Sequence, residues 1–421
     1  MKAPTPILDG PYQPGITDPQ WPVSPPEPIE GDPAAKARYE FERAGRVDPQ
    51  NFLTVLTGDV VVRDREDLKD MLRSLSDFAR TQMLRKPDQN HIPILRELPD
   101  SWRLTITIGF GASIFLTAEG DDRFGLRHNK PKWLRTMPKV TGDQFEPSQL
   151  ATDLIFLISS DHPYVNVSMA RALSQGNWGK VGTKESRLVV RSLDQGFSRP
   201  DRREFLRFDD GIDNLSNLRD RELDRFVYVT PREGEPAWAE NGSYLVFRKI
   251  QENLPHWEQL SVIEQSEMIG REKSSGCPLS RQSAGPANMT PIYPSPYQEM
   301  DGPLTAHIRK VQPRRDGLDL MGIGDLERRF LRRGYPYFDG INEMGSVNCG
   351  LLFLAFMRDL RKQFEWPVNN WQLNPNFPLP GVGIDALYGR GILSNLAGGY
   401  YFCPPAMNDR DGFLGARIFN K

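Results

Sequence analysis

A histidine and two charged positions far from it in the chain could together perform redox chemistry at an iron centre. His307 is followed by Ile-Arg-Lys, Asp210 is followed by glycine, and Arg332 is followed by a second arginine. An imidazole can ligate haem iron from one side. On the other side, a carboxylate and a guanidinium can handle the proton and the negative charge of bound peroxide.

Each of these positions also has a structural explanation. A lone histidine is most often an ordinary surface or core residue. Residues 208–214 are typical of a turn in which Asp209 and Asp213 satisfy their own backbone, or of a calcium loop that lacks the alternation of an EF-hand. Arg332 and Arg333 could simply flank a strand. The residues alone leave these alternatives open.

Composition limits the classes of protein that the chain could represent. A length of 421 residues exceeds the size at which one core stops growing, so two domains are expected. The formal charge of -2 gives no electrostatic reason for a nucleic-acid partner and favours a small-molecule substrate. Cys277, Cys349 and Cys403 are odd in number and far apart, so we predict reduced, structural thiols and no zinc site.

The amino-terminal region predicts an extended arm. Residues 1–50 are rich in proline, which fixes backbone angles and removes hydrogen-bond donors. Such an arm could lie across its own folded body, could embrace a neighbouring copy, which would make a homo-oligomer, or could be disordered. The first residues lack the apolar centre of a signal peptide, and no apolar run is long enough to span a membrane. We therefore expect a cytoplasmic protein that does not bind membranes.

Hydrophobic periodicity predicts the same kind of strand and helix succession in residues 51–222 and in residues 223–421. The order in both parts indicates an α+β fold of the ferredoxin-like type. The predicted strands are 52–62, 104–110, 154–158, 188–193, 244–250 and 349–357. The predicted helices are one around 68–78 capped by Asp64, one from Asp161 and Pro163, one at 257–269 and one after Asp359. Strand 104–110 alternates apolar with polar or small residues and is predicted to be half-buried.

Several segments, in order along the chain, resemble the dye-decolorizing peroxidase family. The resemblance runs from about residue 51 to the carboxyl end. The segments are LTITIGFG at 104–111, FDDG at 208–211, GSYLVFRKI at 242–250, HIRK at 307–310, LRRGY at 331–335 and LLFLAF at 351–356.

The resemblance implies two ferredoxin-like domains, each an antiparallel sheet with helices. The first, 51–222, would carry an aspartate loop, and the second, 223–421, would hold most of one haem b per chain. His307 would be the axial ligand of the haem iron. Asp210 and Arg332 would be the catalytic residues on the opposite side of the haem.

The resemblance also suggests contacts around the cofactor. Arg309 and Arg314 would pair with the haem propionates, although with Lys310 they could instead form a solvated basic face. Leu354 and Phe356 share one strand face, which predicts core residues, and the resemblance suggests that they also wall the peroxide pocket. The acidic partner of the histidine stays open between two residues, Asp359 and Asp385.

The implied activity is oxidation of dyes, phenols or similar electron donors by hydrogen peroxide, through a ferryl intermediate. Two alternatives remain. A haem-binding carrier or sensor would keep His307 and need neither Asp210 nor Arg332, whereas a haem-processing enzyme would remove iron from haem or oxidise a porphyrin precursor. Arg207 replaces the first glycine of the family's Gly-x-x-Asp-Gly motif, so the conformation of this loop could differ.

Four aromatic residues near these segments could pass oxidising equivalents to bulky donors, if they are exposed and connected to the haem; otherwise they only pack. They are Tyr335, Tyr337, Trp366 and Trp371.

Overall fold

The computed structural model describes most of the chain. The described residues are 10–17, 49–84, 102–146, 150–176, 178, 186–199, 203–212, 214–215, 222–274, 276, 278–279, 302–315, 317–341, 343, 345–407 and 412–420.

Eight antiparallel strands form one sheet, and its two halves repeat a single strand order. The first half contains β1 (Phe52–Val60), β2 (Thr105–Gly111), β3 (Leu154–Ser160) and β4 (Leu188–Phe197). The second half contains β5 (Ser243–Glu252), β6 (Leu331–Ile341), β7 (Val347–Met357) and β8 (Leu393–Cys403). Across the sheet the order is β4-β1-β3-β2-β8-β5-β7-β6. Numbered within its own half, each set has the order 4-1-3-2, so the expected pair of ferredoxin-like units is confirmed.

The two halves join where β2 pairs with β8, at Phe110 with Phe402 and at Gly111 with Tyr401. At the other end, the sheet curves until its edge strands approach each other. A Cβ atom on Gly196 of β4 would lie 2.7 Å from the Cβ of Tyr335 on β6. The curved sheet therefore has an inner face, which both halves share, and an outer face.

Buried side chains on the inner face form a hydrophobic core, to which most of the strands contribute. Leu53, Leu157, Phe247 and Leu354 are among its buried members. Part of the proline-rich arm completes this core, because Ile16 is fully buried within it. The described residues 10–17 thus pack against their own body.

Helices cover the outer face. In the first half these are α1 (Arg65–Leu84) and α2 (Pro163–Ser174). Helix α3 (Glu222–Phe226) packs Leu223 and Phe226 into the inner core instead. On the outer face of the second half, the helices among the described residues are short: α4 (Leu254–Trp257), α5 (Val262–Ile269), α6 (His307–Val311) and α7 (Ala386–Gly389), with two π-helical segments at Arg361–Glu365 and Val368–Gln372. Among the described residues, no helix combines the length and apolar composition needed to cross a bilayer.

The structure confirms some local predictions and corrects others. Asp64 caps α1 by accepting from the backbone N–H groups of residues 66 and 67, each at 3.0 Å. The predicted helix 257–269 is interrupted: α4 ends at Trp257, and Ser261 and Glu264 form a capping box that begins α5 at Val262. Strand β2 is buried throughout rather than half-buried, since the inner core covers its second face. Strands β6 and β8 were not predicted.

The cysteines agree with the prediction where the structure describes them. Cys349 and Cys403 are buried free thiols. Burial raises the pKa of Cys349 to about 12 and raises the pKa of Cys403 as well, so both are inert at neutral pH. Cys277 lies outside the described residues.

Candidate active site

A cavity of about 270 Å³ lies on the outer face of the second half of the sheet. Strands β5, β6, β7 and β8 form one part of its wall, and α6, α7 and the π-helical segments form another. The loop 204–212 contributes a further part. His307, Asp210 and Arg332, which are far apart in the sequence, all line this cavity.

His307 is the first residue of α6 and is fixed by a buried carboxylate. Its Nδ1 lies 2.7 Å from Oδ2 of Asp385, which is completely buried. That carboxylate also accepts from the backbone N–H of Leu387 and from Nε2 of Gln372. An Nδ1 that donates to the carboxylate leaves Nε2 as the nitrogen for a ligand in the cavity. Of the two candidate partners the structure selects Asp385; the other, Asp359, bonds to the backbone N–H of residue 362 instead.

Lys310 anchors the histidine's helix. Its side chain is fully buried, and burial lowers its pKa to about 8. The ammonium donates to three carbonyl oxygens, those of Asn374 at 2.8 Å, Phe377 at 2.6 Å and Gly383 at 2.9 Å. Because these carbonyls belong to the loop that leads to Asp385, the lysine holds both members of the histidine–carboxylate pair in place.

Of the two arginines that were expected to contact the cofactor, only one lines the cavity. Arg309 does not line the cavity, because it points away from the helix face that carries His307; its Nη1 donates to the carbonyl of Gly302 at 2.6 Å. Arg314 does line the cavity. Burial and the positive charges of Arg329 and Arg332 lower its pKa to about 9. Three guanidinium groups thus converge there and would favour an anionic ligand.

Asp210 and Arg332 come together because their loop and strand are joined by hydrogen bonds. The side-chain amide of Asn214 bonds both the N–H and the C=O of Arg332, at 3.0 and 2.8 Å. Nη2 of Arg332 donates to the carbonyl of Ile212 at 2.9 Å. The carboxylate of Asp210 lies directly over Gly334, where an added Cβ would be 2.3 Å from Oδ2. Glycine at 334 therefore leaves the space that Asp210 occupies.

Arg207, in place of the motif glycine, adopts the backbone conformation that glycine favours. Its φ is 69°, which costs a residue with a side chain about 1–2 kcal/mol. Its backbone N–H donates to the carbonyl of Glu204 at 3.0 Å, which closes the turn before Asp210. The arginine is thus accommodated with local strain, and Asp210 still reaches the cavity.

The expected pocket wall on β7 is shifted by one residue. Leu354 and Phe356 face the inner core and do not line the cavity. Side chains alternate between the two faces of a strand, so Leu351 and Phe353 form the wall instead.

The aromatic residues proposed to carry electrons differ in exposure. Tyr335 and Tyr337 are 1% and 0% exposed, on the inner face, so they do not meet the condition of exposure. Trp366 is half-buried, and its ring lies perpendicular to that of Trp371 with centroids 5.1 Å apart. Of the four, Trp366 is the one that reaches the surface.

Sequence reasoning missed several residues that line the cavity. Two are the carboxylic acids Glu204 and Glu252, and three are the arginines Arg248, Arg271 and Arg329. Glu204, Arg271 and Arg329 lie outside the segments that carry the family resemblance. Arg248 lies within the segment 242–250 and Glu252 just after it, and the sequence of that segment predicts a core strand. In the part of the chain that the structure describes, no group of three or more His, Cys, Asp or Glu side chains could hold a metal ion, so nothing there supports a calcium loop. Asp213 lies outside that part.

Comparisons with known proteins agree with this architecture. The family model described as "Dyp-type peroxidase, N-terminal" matches residues 47–188, and "Dyp-type peroxidase, C-terminal" matches residues 201–408. A deferrochelatase from Escherichia coli (strain K12) is 28% identical over 401 residues, covering 90% of this chain and 86% of the relative. Two solved structures are each 25% identical, with a TM-score of 0.75, covering 100% of this chain and 98% of theirs. They are a DyP-type peroxidase from Streptomyces coelicolor and ferric DtpA from Streptomyces lividans.

Proposed function

Because the chain belongs to the Dyp-type peroxidase family, a family of haem-binding oxidoreductases, we propose that it uses hydrogen peroxide to oxidise dyes, phenols or similar small electron donors. The observation that carries this proposal is the meeting of His307, Asp210 and Arg332 at one cavity. A haem carrier would need the histidine but neither of the other two.

The donor set of the cavity fits a haem group. His307, backed by Asp385, would ligate the iron, since an imidazole that donates to a carboxylate is a more basic ligand. Arg314 would pair with a propionate, and Arg271 or Arg329 would offer further positive charge. Leu351 and Phe353, which line the cavity, would supply apolar contact for the macrocycle. Bound haem supplies the redox chemistry, accepting two oxidising equivalents from peroxide and passing them singly to donors.

The protein's own groups would manage protons and charge. The carboxylate of Asp210 would take a proton from one peroxide oxygen and deliver it to the other, which leaves as water. The guanidinium of Arg332 would stabilise the negative charge that develops as the O–O bond breaks. Its hydrogen bond to the carbonyl of Ile212 holds it beside Asp210.

Absorption spectroscopy of the haem-loaded protein tests this proposal. On addition of peroxide, the wild-type spectrum should change within the mixing time of a rapid-flow instrument. Asp210→Asn and Arg332→Leu should bind haem normally but react slowly, whereas His307→Ala should bind haem weakly and with an altered spectrum. Binding of haem by the wild type without any reaction with peroxide would favour the carrier.

A second candidate function is removal of iron from haem. Its support is the deferrochelatase relative and the presence of Glu204 and Glu252 in the cavity, because release of iron requires two protons on the porphyrin nitrogens. Fluorescence of iron-free porphyrin, measured after incubation with haem and a reductant, discriminates the two functions. Porphyrin fluorescence that needs no peroxide would favour iron removal over the peroxidase.

A further inference from the structure

Two glutamates that the proposed reaction does not use lie in the same cavity as Asp210. Glu204 belongs to the loop that carries Asp210, and Glu252 is the last residue of β5. Their carboxyl groups are close enough for each to shift the pKa of the other. Carboxylates only accept hydrogen bonds, so the two groups can bond to each other only when one of them carries a proton.

The backbone contacts of Glu204 indicate which glutamate would carry that proton. The carboxylate of Glu204 accepts from the backbone N–H of Leu206 and, at 3.0 Å, from that of Phe208. In a proton-sharing pair Glu204 would therefore be the acceptor, and Glu252, which is 3% exposed, would be the donor. The Oε2 atom of Glu252 is buried and has no hydrogen-bond partner among the described residues, and a proton shared with Glu204 would satisfy it.

The surroundings favour protonated forms. Burial, followed by the negative charge of Asp210, raises the pKa of Glu204 to about 7, although its two backbone hydrogen bonds oppose the rise. Burial and the charge of Glu204 raise the pKa of Glu252 well above its ordinary value. Cys349 of β7 and Lys273, which follows α5, also interact electrostatically with the pair, as does Tyr337 from the opposite face of the sheet. Arg248 and Arg271 are charged groups that line the same cavity.

We propose that Glu204 and Glu252 form a proton-sharing pair that supplies protons to the cavity beside Asp210 during turnover. The inference rests on the proposed peroxidase function. Reduction of one peroxide to two waters consumes two electrons and two protons. The donors provide the electrons one at a time; the pair would release one proton with each electron and recover it from solvent.

The pair also positions the catalytic loop, so the variant that tests proton supply must leave the loop intact. Glu252→Gln meets this requirement, because the amide still donates to Glu204 but holds no acidic proton. Glu204→Gln does not, because an amide cannot accept both backbone N–H groups in the same way. Glu258→Gln is the matched control, since this glutamate is 60% exposed and pairs with Arg207.

Infrared difference spectroscopy of the full-length protein detects a protonated carboxyl group in the pair directly and does not depend on catalysis. The wild type should show a protonated carboxyl band at pH 7 that Glu252→Gln lacks and Glu258→Gln retains. Absence of the band in the wild type at pH 7 would mean that both glutamates are ionised and would overturn the proposal.

Rapid kinetics on the haem-loaded protein then tests whether the proton held by the glutamate pair is used during turnover. In Glu252→Gln, reaction with peroxide should stay within about twofold of wild type, and the following reduction by donor should slow by about tenfold or more at pH 7. The dependence of that step on pH near 7 should also change. If Glu252→Gln loses the infrared band but its rate of reduction is unchanged, the pair has only a structural role and the proposal of proton supply is overturned. If the wild type never reacts with peroxide, the peroxidase function fails while the infrared result still stands.

Discussion

The two halves of the sheet share one strand order but cover their outer faces differently. In the first half, the second strand, β2, presents Ile106, Ile108 and Phe110 to α1 and α2, and the side chains fill the space. In the second half, the equivalent strand, β6, presents Arg332 and Gly334 to the cavity. The fold thus provides the same scaffold twice, and the side chains on one face decide whether it holds a core or a site.

The length of the covering helices matches this difference. Helix α1 runs for 20 residues and α2 for 12, whereas α5 has 8 and α6 only 5. Long amphipathic helices bury a continuous stripe of apolar side chains. Short pieces joined by loops leave room for a ligand and bring His307, at the start of α6, to its edge.

The largest effect should come from filling the space over β6. Gly334→Val would place a Cβ where the carboxylate of Asp210 now lies, and the displaced carboxylate could no longer transfer a proton. We expect the rate of reaction with peroxide to fall by about a hundredfold or more, measured by rapid-flow absorption. Ile106→Val on β2 is the control and should leave that rate unchanged. A Gly334→Val protein that reacts at the wild-type rate would show that the position of Asp210 is unimportant.

Truncation of the first half's core should affect stability instead. Leu72 is fully buried in α1, and Leu72→Ala would leave a cavity. We expect the free energy of unfolding, measured in urea, to fall by about 2–5 kcal/mol. Affinity for haem per folded molecule should be unchanged. A parallel loss of haem affinity would mean that the first half's core also shapes the site.

Removing the carboxylate behind the histidine should weaken the cofactor site. Asp385→Asn would remove the charge that orients and polarises His307. We expect haem affinity, measured by absorption titration, to drop about 10–100-fold. Asp359→Asn, which alters the other sequence candidate, should cost stability but not affinity. Equal losses of affinity in both variants would contradict the assignment of Asp385.

The smallest expected effect is a pH dependence of stability from Glu204 and Glu252. Folding raises the pKa of both, so their protonated forms stabilise the fold fully at acid pH, and this contribution is lost as pH rises through about 7 and above. Between pH 5 and pH 9, the wild type should lose on the order of 1 kcal/mol more unfolding free energy than Glu252→Gln. Identical slopes in urea unfolding at several pH values would refute this prediction.

Features written in contiguous residues could be predicted from the sequence. The apolar spacing of α1 and its cap at Asp64 depend on neighbouring residues, and so do the patterns of all four strands of the first half. The segments that contain His307, Asp210 and Arg332 are short enough to compare with a family directly. All three were expected near one cofactor, and all three line one cavity.

Features that depend on tertiary contact could not be predicted in the same way. Strand β6 contains two glycines and a proline, so its apolar pattern is broken, and only pairing with β7 reveals it. The partner of His307 lies 78 residues away. The direction of Arg309 depends on how α6 docks. The core position of Leu354 follows from the sequence, but its role as pocket wall does not hold. Both faces of β7 are apolar, so alternation along the strand cannot show which face lines the cavity.

A crystal structure of the haem-loaded protein tests the central claim most directly. The account predicts iron bound by Nε2 of His307, with the Asp385 carboxylate still on Nδ1 and with Asp210 and Arg332 facing the opposite side of the macrocycle. Iron ligated by another residue, or a macrocycle bound where Asp210 and Arg332 cannot reach it, would contradict the account.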